Sequence, residues 1–181
     1  MDEMLEIVTD RERLVAALRE RGVDYLTPSE AEGKPVSDEV LIASLAAHPD
    51  ARLRQALIAL FLLDPGLAPL APRLRAQMPA PAVVELTAFY MAAVYLQCMW
   101  RMQLRRYLGE QSELPDYFSA ELGLPPRADE QGKFGLYVLA DWHQLAAQTR
   151  ANQLSAYYGV ADLLQQQLKL RSPRHEPAPA S

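Results

Sequence analysis

The sequence predicts an all-α fold, an irregular multi-helix bundle of six to eight helices around one long central helix at about residues 82–108. Composition and helix-terminus signals both predict it. Of the 181 residues, 27 are Ala and 29 are Leu, whereas Ile, Val and Thr together number only 17. Because Ala and Leu favour helices and β-branched residues favour strands, folds built on a β-sheet are disfavoured.

Length and hydrophobic content predict one helical domain over residues 1–171 and a disordered tail over residues 172–181. Half of the residues are hydrophobic, which is enough to build a core in a chain of this length. The last ten residues, SPRHEPAPAS, are polar and rich in proline. Such a composition does not pack into a core.

Charge and cysteine content limit the functions and cellular locations that we expect of this protein. The net charge is −5, whereas proteins that coat nucleic acid are usually basic. The single cysteine, Cys98, excludes an internal disulfide and a cysteine-based zinc site. The first ten residues, MDEMLEIVTD, are acidic where a secretion signal is basic. We therefore expect a cytoplasmic protein, of a size and type common in prokaryotes.

The first helix is expected over residues 10–21. Thr9 begins the motif Thr-x-x-Glu, a capping box in which two side chains bind the free amides of the first turn. Gly22 suits the position just after the helix. Residues 23–26 are the best candidate for a short extended segment, and residues 27–35 contain the Pro and Gly of a loop.

Short helices joined by tight corners are expected next. Three residues are suited to cap their N-termini: Ser37, Asp50 and Asp64. The dipeptide His48-Pro49 ends the helix that follows Ser37, because the residue before a proline avoids the helical conformation. The segment 66–78 contains two prolines, which predicts a short or broken helix.

Part of this region resembles a HEAT-type helical repeat. Such repeats often read Asp-x-x-Val-Arg-x-x-Ala at the corner between their helices, and Asp50, Leu53, Arg54 and Leu57 match that pattern loosely. The resemblance covers residues 37–65 and implies a pair of packed helices. The chain has no second copy of the pattern, and a solenoid needs about three repeats. We therefore expect a local helix–turn–helix similarity.

The central helix, ended by Gly109, is expected to be a core helix. The uncharged stretch 86–100 spans about 22 Å, which is less than the ~30 Å of a bilayer core, so we expect no membrane span. Its apolar first half predicts that most of five residues are buried: Phe89, Val94, Leu96, Cys98 and Trp100. In its second half Gln97, Arg101 and Arg105 recur every four residues and predict one polar stripe.

The last third of the chain predicts three more helices. A short one over residues 115–122 is stopped by Gly123, and a second covers residues 134–148. Asn152 is suited to cap the last helix, in which apolar residues recur every three or four positions.

Sequence motifs for catalysis are missing. No Glu-x-x-His or His-x-x-x-His spacing, no glycine-rich phosphate loop and no Gly-x-Ser-x-Gly motif occurs in the sequence. We expect no catalytic residues, no cofactor and no metal site. The least favoured hypothesis is an enzyme built on Glu85, Asp141 and His143.

The favoured hypothesis is a non-catalytic protein-interaction module. It would act as an adaptor, or as an antitoxin-like or accessory subunit of a prokaryotic assembly such as a defence complex. Its partner would be another protein or a second copy of the chain. The candidate interaction residues are Tyr157, Tyr158, Arg101, Arg105 and Arg106, since interfaces favour Tyr and Arg. The alternative is a helical subunit of a ribonucleoprotein complex that contacts RNA or DNA through the three arginines.

Overall fold

The computed structural model describes residues 5–27 and 33–172, and it confirms the all-α class. Helices account for 68% of these residues, and no strand occurs among them. The helices are α1 (Arg11–Glu20), α2 (Asp38–Ala47), α3 (Ala51–Leu63), α4 (Leu70–Arg75), α5 (Ala80–Leu108), α6 (Ser119–Leu122), α7 (Gly132–Ala146) and α8 (Leu154–Arg171). The others pack around α5, with α3 and α7 as its main neighbours.

Helix α1 corrects one sequence expectation and confirms another. The predicted capping box at Thr9 is wrong, because Asp10 caps the helix by accepting a hydrogen bond from the Glu12 amide at 2.9 Å. A carboxylate is also favoured at this positive end of the helix dipole. Gly22 ends α1 at φ +92°, in the left-handed conformation predicted for it.

The segment after α1 forms no strand. Its polar backbone groups are bound instead by Gln167 of α8, whose amide nitrogen donates to the Gly22 carbonyl oxygen at 2.6 Å. The Gln167 side-chain oxygen accepts from the Asp24 amide at 2.9 Å. A side chain 143 positions away thus satisfies the backbone that a neighbouring strand would have paired. Residues 28–32 of the expected loop lie outside the described residues.

The predicted corners are confirmed. Ser37, Asp50 and Asp64 each accept a backbone amide at the start of α2, of α3 and of a 3₁₀ turn over Pro65–Leu67. Helix α4 is six residues long, as two prolines within thirteen residues require. These caps set the directions in which α2, α3 and α4 leave one another.

Helix α5 is the core of the molecule. Phe89, Val94, Leu96 and Cys98 are buried as predicted, whereas Trp100 is only half-buried. Trp100 has the non-helical angles φ −115° and ψ 21°, so α5 bends there as it leaves the core. Helix α5 is long and apolar enough to cross a membrane, but 78% of its most apolar window is buried inside the protein.

Two glycines let α7 lie close against α5. A Cβ atom at Gly132 would lie 2.7 Å from the Tyr95 carbonyl oxygen, and one at Gly135 would overlap the Tyr95 ring. Helix α7 begins at Gly132, two residues earlier than predicted. This close packing brings the far end of α7, including His143, against the start of α5.

Gln153, and not the expected Asn152, holds the N-cap position of α8 and makes no side-chain cap bond. The Asn152 side chain lies one residue earlier and accepts a hydrogen bond from the Leu154 amide at 2.9 Å. The predicted disordered tail lies outside the described residues, except for Ser172.

Candidate functional site

Four helices each supply one side chain to a polar network that is buried at one end and half-buried at the other. The Glu85 carboxylate of α5 accepts from Arg54 Nε of α3 at 3.0 Å, and its other oxygen lies 3.1 Å from His143 Nε2 of α7. The other ring nitrogen of His143 lies 2.7 Å from the Tyr157 hydroxyl of α8. We call Arg54, Glu85, His143 and Tyr157 the polar network.

One tautomer of His143 satisfies the polar atoms between Glu85 and Tyr157. The Glu85 carboxylate only accepts, so His143 Nε2 donates to it. In the tautomer that has its proton on Nε2 alone, His143 Nδ1 accepts from the Tyr157 hydroxyl. With this tautomer both nitrogens of His143 and the Tyr157 hydroxyl are satisfied, as buried polar groups require.

The surroundings shift two pKa values in opposite directions. Burial by itself would raise the pKa of Glu85, but the hydrogen bonds and electrostatic attraction of His143 and of Arg54 outweigh it, and the pKa lies below its usual value. Burial, followed by the negative charge of Glu85, raises the pKa of Tyr157. Glu85 is therefore held as a carboxylate and Tyr157 as a neutral phenol.

The network opens into a cleft at one end of the bundle. The cleft has a volume of about 580 Å³ and lies where α2 and α7 end and α5 begins. Its walls are mostly Ala and Pro side chains, and Arg54 and Glu85 line it together with His48 and Gln148. Tyr157 and His143 lie behind Glu85 and do not line the cleft.

Gln148 lies on the rim of the cleft in a strained backbone conformation. Its φ is +54°, the only positive φ at a residue other than glycine in the described part of the chain. It follows α7 in the hydrogen-bonding pattern that usually carries glycine, with Gln148 N bonded to Leu145 O and Thr149 N to Gln144 O. A glutamine here is less stable than glycine by about 1 kcal/mol.

The structure assembles part of the trio Glu85, Asp141 and His143. Glu85 and His143 meet, although they are 58 positions apart. Asp141 lies on the opposite, exposed side of α7, where the Asn152 amide donates to it at 3.3 Å. Arg54 and Tyr157 complete the network instead, and no sequence spacing relates these four residues.

The predicted arginine cluster is largely neutralised. Arg101 forms ion pairs with Glu113 and, at 3.1 Å, with Asp129, and Arg105 pairs with Glu110. The Arg106 guanidinium lies 5.9 Å from the centre of the Tyr107 ring. The predicted polar stripe of α5 therefore holds the loop that follows the helix, which weakens the case for a nucleic-acid surface.

Tyr157 and Tyr158 occupy different environments. Tyr157 is fully buried, because its ring packs edge-on against Phe89 and its hydroxyl binds His143. Its assignment as a surface interaction residue is therefore wrong. Tyr158 is half-buried, and burial, followed by the nearby Tyr137 hydroxyl, raises its pKa.

Sequence reasoning missed an apolar surface beside Tyr158. Phe134, Tyr137 and Leu145 of α7 are 61%, 51% and 79% exposed. Val138 and Trp142 are half-buried next to them. We call this set the α7 face: Phe134, Tyr137, Val138, Trp142 and Leu145. Their spacing of 3, 4, 8 and 11 residues from Phe134 is the signal that could have revealed it. The stripe of α7 that packs inward has the same period and concealed it.

The described residues contain no cluster of three His, Cys, Asp or Glu side chains able to hold a metal ion. Comparison of the chain with protein-family models, curated proteins and solved structures finds no match. The function must therefore be argued from the α7 face and the cleft themselves.

Proposed function

We propose that this protein is a non-catalytic interaction module that binds a partner protein through the α7 face. The observation that carries the proposal is the exposure of three large apolar side chains, Phe134, Tyr137 and Leu145, along one helix. Soluble monomers rarely leave such a stripe uncovered, and aromatic residues dominate the binding energy of interfaces.

The polar network supports a binding role over catalysis. Tyr157 has no access to solvent. The Glu85 carboxylate already accepts hydrogen bonds from Arg54 and His143, and its pKa is lowered. A general base works best with a pKa near the working pH, and this environment shifts the pKa the other way. The network therefore fits the bracing of four helices.

The partner surface that fits the α7 face is an amphipathic helix with one basic residue among apolar ones. Asp141 lies near the middle of the stripe and is exposed, so a Lys or Arg opposite it would complement its charge. A second copy fits less well. An antiparallel pairing of two α7 faces, centred on the stripe, brings the two Asp141 residues to about 4.5 Å of each other along the axis, where they repel.

This role agrees with an adaptor or an antitoxin-like accessory subunit in a prokaryotic cytoplasm. The experiment places a photo-crosslinking amino acid at position 134 in the full chain, expressed in its host. The matched control carries the same group at Leu170, which is 86% exposed on α8 outside the α7 face. We expect one host protein to be cross-linked from position 134 and not from position 170.

The purified partner then tests the geometry. Leu145→Asp is expected to weaken its binding at least about tenfold, the effect of losing one well-packed anchor, whereas Leu170→Asp leaves it unchanged. Asp141→Lys is expected to weaken binding, and a Lys→Glu change in the partner helix to restore it. Unchanged binding by Leu145→Asp, or cross-links from position 134 only to a second copy, would overturn the proposal.

A further inference from the structure

The floor of the cleft presents a hydrogen-bond donor beside an acceptor. Arg54 uses Nε for Glu85 and Nη1 for the carbonyl oxygens of His48 and Pro49, both at 2.8 Å. Arg54 Nη2 has no hydrogen-bond partner among the described residues. Each Glu85 oxygen accepts one protein donor and keeps a lone pair, since a carboxylate oxygen accepts two hydrogen bonds. Because both side chains line the cleft, the free donor and the free acceptor are neighbours.

The charges of this floor cancel. Arg54 is positive and Glu85 is negative, and these are the two residues of the polar network that line the cleft. A ligand with a net charge would lose its hydration when it enters the cleft and would find no opposite net charge there. This desolvation cost disfavours its binding. The ligand that matches is therefore net-neutral and carries a donor next to an acceptor.

The size and walls of the cleft indicate a ring-sized molecule. A volume of about 580 Å³ lies within the range of about 300–1,000 Å³ for small-molecule sites. The Ala and Pro side chains of the walls are small and rigid, which leaves flat apolar surfaces rather than long side chains that would fill the space.

Gln148 supplies an independent reason to regard the cleft as a binding site. Glycine would relieve the strain of φ +54° at this position. A glycine, however, would contribute no side chain to the cleft. Glutamine contributes a carboxamide, which has two N–H donors and one oxygen acceptor. A residue that costs stability yet adds a polar group to a cleft is better explained by binding than by folding.

We propose that the cleft binds a net-neutral small molecule through an amide edge, an N–H group beside a C=O group, as in a nucleobase or a lactam. The N–H donates to Glu85, the C=O accepts from Arg54 Nη2, and Gln148 adds a third hydrogen bond at the rim. The cleft and the α7 face are separate groups of residues, so this proposal does not rest on the proposed function.

The test is calorimetric titration of the full-length protein with uracil, hypoxanthine and 2-pyrrolidinone. The matched control ligand is 1,3-dimethyluracil, which keeps the ring and its carbonyls but has no N–H donor. We expect at least one amide-edged probe to bind and the dimethylated ring to bind at least about tenfold more weakly, because an unpaired acceptor at Glu85 opposes its binding.

The variant Gln148→Gly separates binding from folding. We expect it to weaken binding of the amide-edged probe while its melting temperature stays the same or rises. Equal binding of 1,3-dimethyluracil, or no binding of any amide-edged probe at millimolar concentration, overturns the proposal. Free alanine is a zwitterion, which is net-neutral but has no amide edge. Tighter binding of alanine than of the amide-edged probes would therefore also overturn the proposal. If the Gln148→Gly variant binds the probe as tightly as the wild type does, the proposed third hydrogen bond from Gln148 is wrong.

Discussion

The two halves of α5 place their polar side chains in opposite surroundings. Before the bend at Trp100 the helix is buried nearly all round, and Glu85 is bonded inward to α3 and α7. After the bend, Arg101 and Arg105 are exposed and pair with carboxylates of the following chain. One continuous helix thus joins a core element to a surface brace.

The difference between these halves shows that the surroundings of a polar residue decide its role. Glu85 is half-buried, and its carboxylate is held by hydrogen bonds from Arg54 of α3 and His143 of α7. Arg101 and Arg105 could be hydrated instead, so their ion pairs replace water and contribute little net stability. Four changes to the protein or its solution test this contrast, from the largest expected effect to the smallest.

Phe89→Ala should have the largest effect. The ring is 1% exposed and packs edge-on against His143 at 5.3 Å and Tyr157 at 6.2 Å, so its loss leaves a cavity. We expect the free energy of unfolding in urea to fall by about 3–5 kcal/mol. Met102→Ala, in the second half and 74% exposed, should change it by less than about 0.5 kcal/mol. Similar losses in the two variants would contradict the contrast.

Gly135→Ala should destabilise the contact of α7 with the first half of α5. The added methyl group would overlap the Tyr95 ring, and overpacking of this kind costs about 1–3 kcal/mol. Gly159→Ala is the matched control, because nothing lies within 4 Å of its added Cβ. In the middle of a helix it should stabilise the protein by about 0.5–1 kcal/mol. Thermal unfolding of both variants measures the difference, and equal signs would refute the tight α5–α7 contact.

Acid should weaken the first half through Glu85. Because the folded-state pKa of Glu85 is lowered, its contribution is fully present above the unfolded glutamate pKa of about 4.3. It is lost as the pH falls through the lower folded value. Unfolding free energies measured from neutral pH down to about pH 3 should therefore fall less steeply for Glu85→Gln than for the wild type. Parallel curves would show that Glu85 is not stabilised as a carboxylate.

Arg101→Ala should have the smallest effect. Its two ion pairs, with Glu113 and Asp129, join side chains that are each more than 40% exposed. We expect a loss of at most about 1 kcal/mol in low salt, which disappears in about 1 M salt as the charges are screened. Unfolding at the two salt concentrations measures it. A salt-independent loss above that size would place Arg101 with the core rather than the surface brace.

Helix ends were predictable from sequence wherever the signal is local. Asp50, Asp64, Gly109 and Gly123 lie at the ends expected of them. The prediction that Thr9 caps α1 was wrong because Asp10 beside it is an equally good cap. Only the path of the chain into α1 selects between the two residues. The bend at Trp100 was not predictable from sequence, because no proline or glycine occurs next to it.

The candidate sites were much less predictable. The sequence brings Glu85 and His143 together only in the least favoured hypothesis, and their partners Arg54 and Tyr157 come from other helices, 31 and 14 positions away. Tyr157 and Tyr158 are neighbours with the same side chain, and the packing of α8 against α5 and α7 buries the first and leaves the second half-exposed. The α7 face escaped notice because both sides of α7 are apolar.

The sequence by itself determined the helical class, most of the helix boundaries and the burial of the first half of α5. These depend on backbone propensity, caps and side-chain period, which act over a few residues. Tertiary structure alone decided which polar groups meet in the network, where the cleft opens and which apolar stripe of α7 stays uncovered. Those outcomes depend on how helices far apart in the chain are rotated and packed against one another, and no local pattern encodes that rotation.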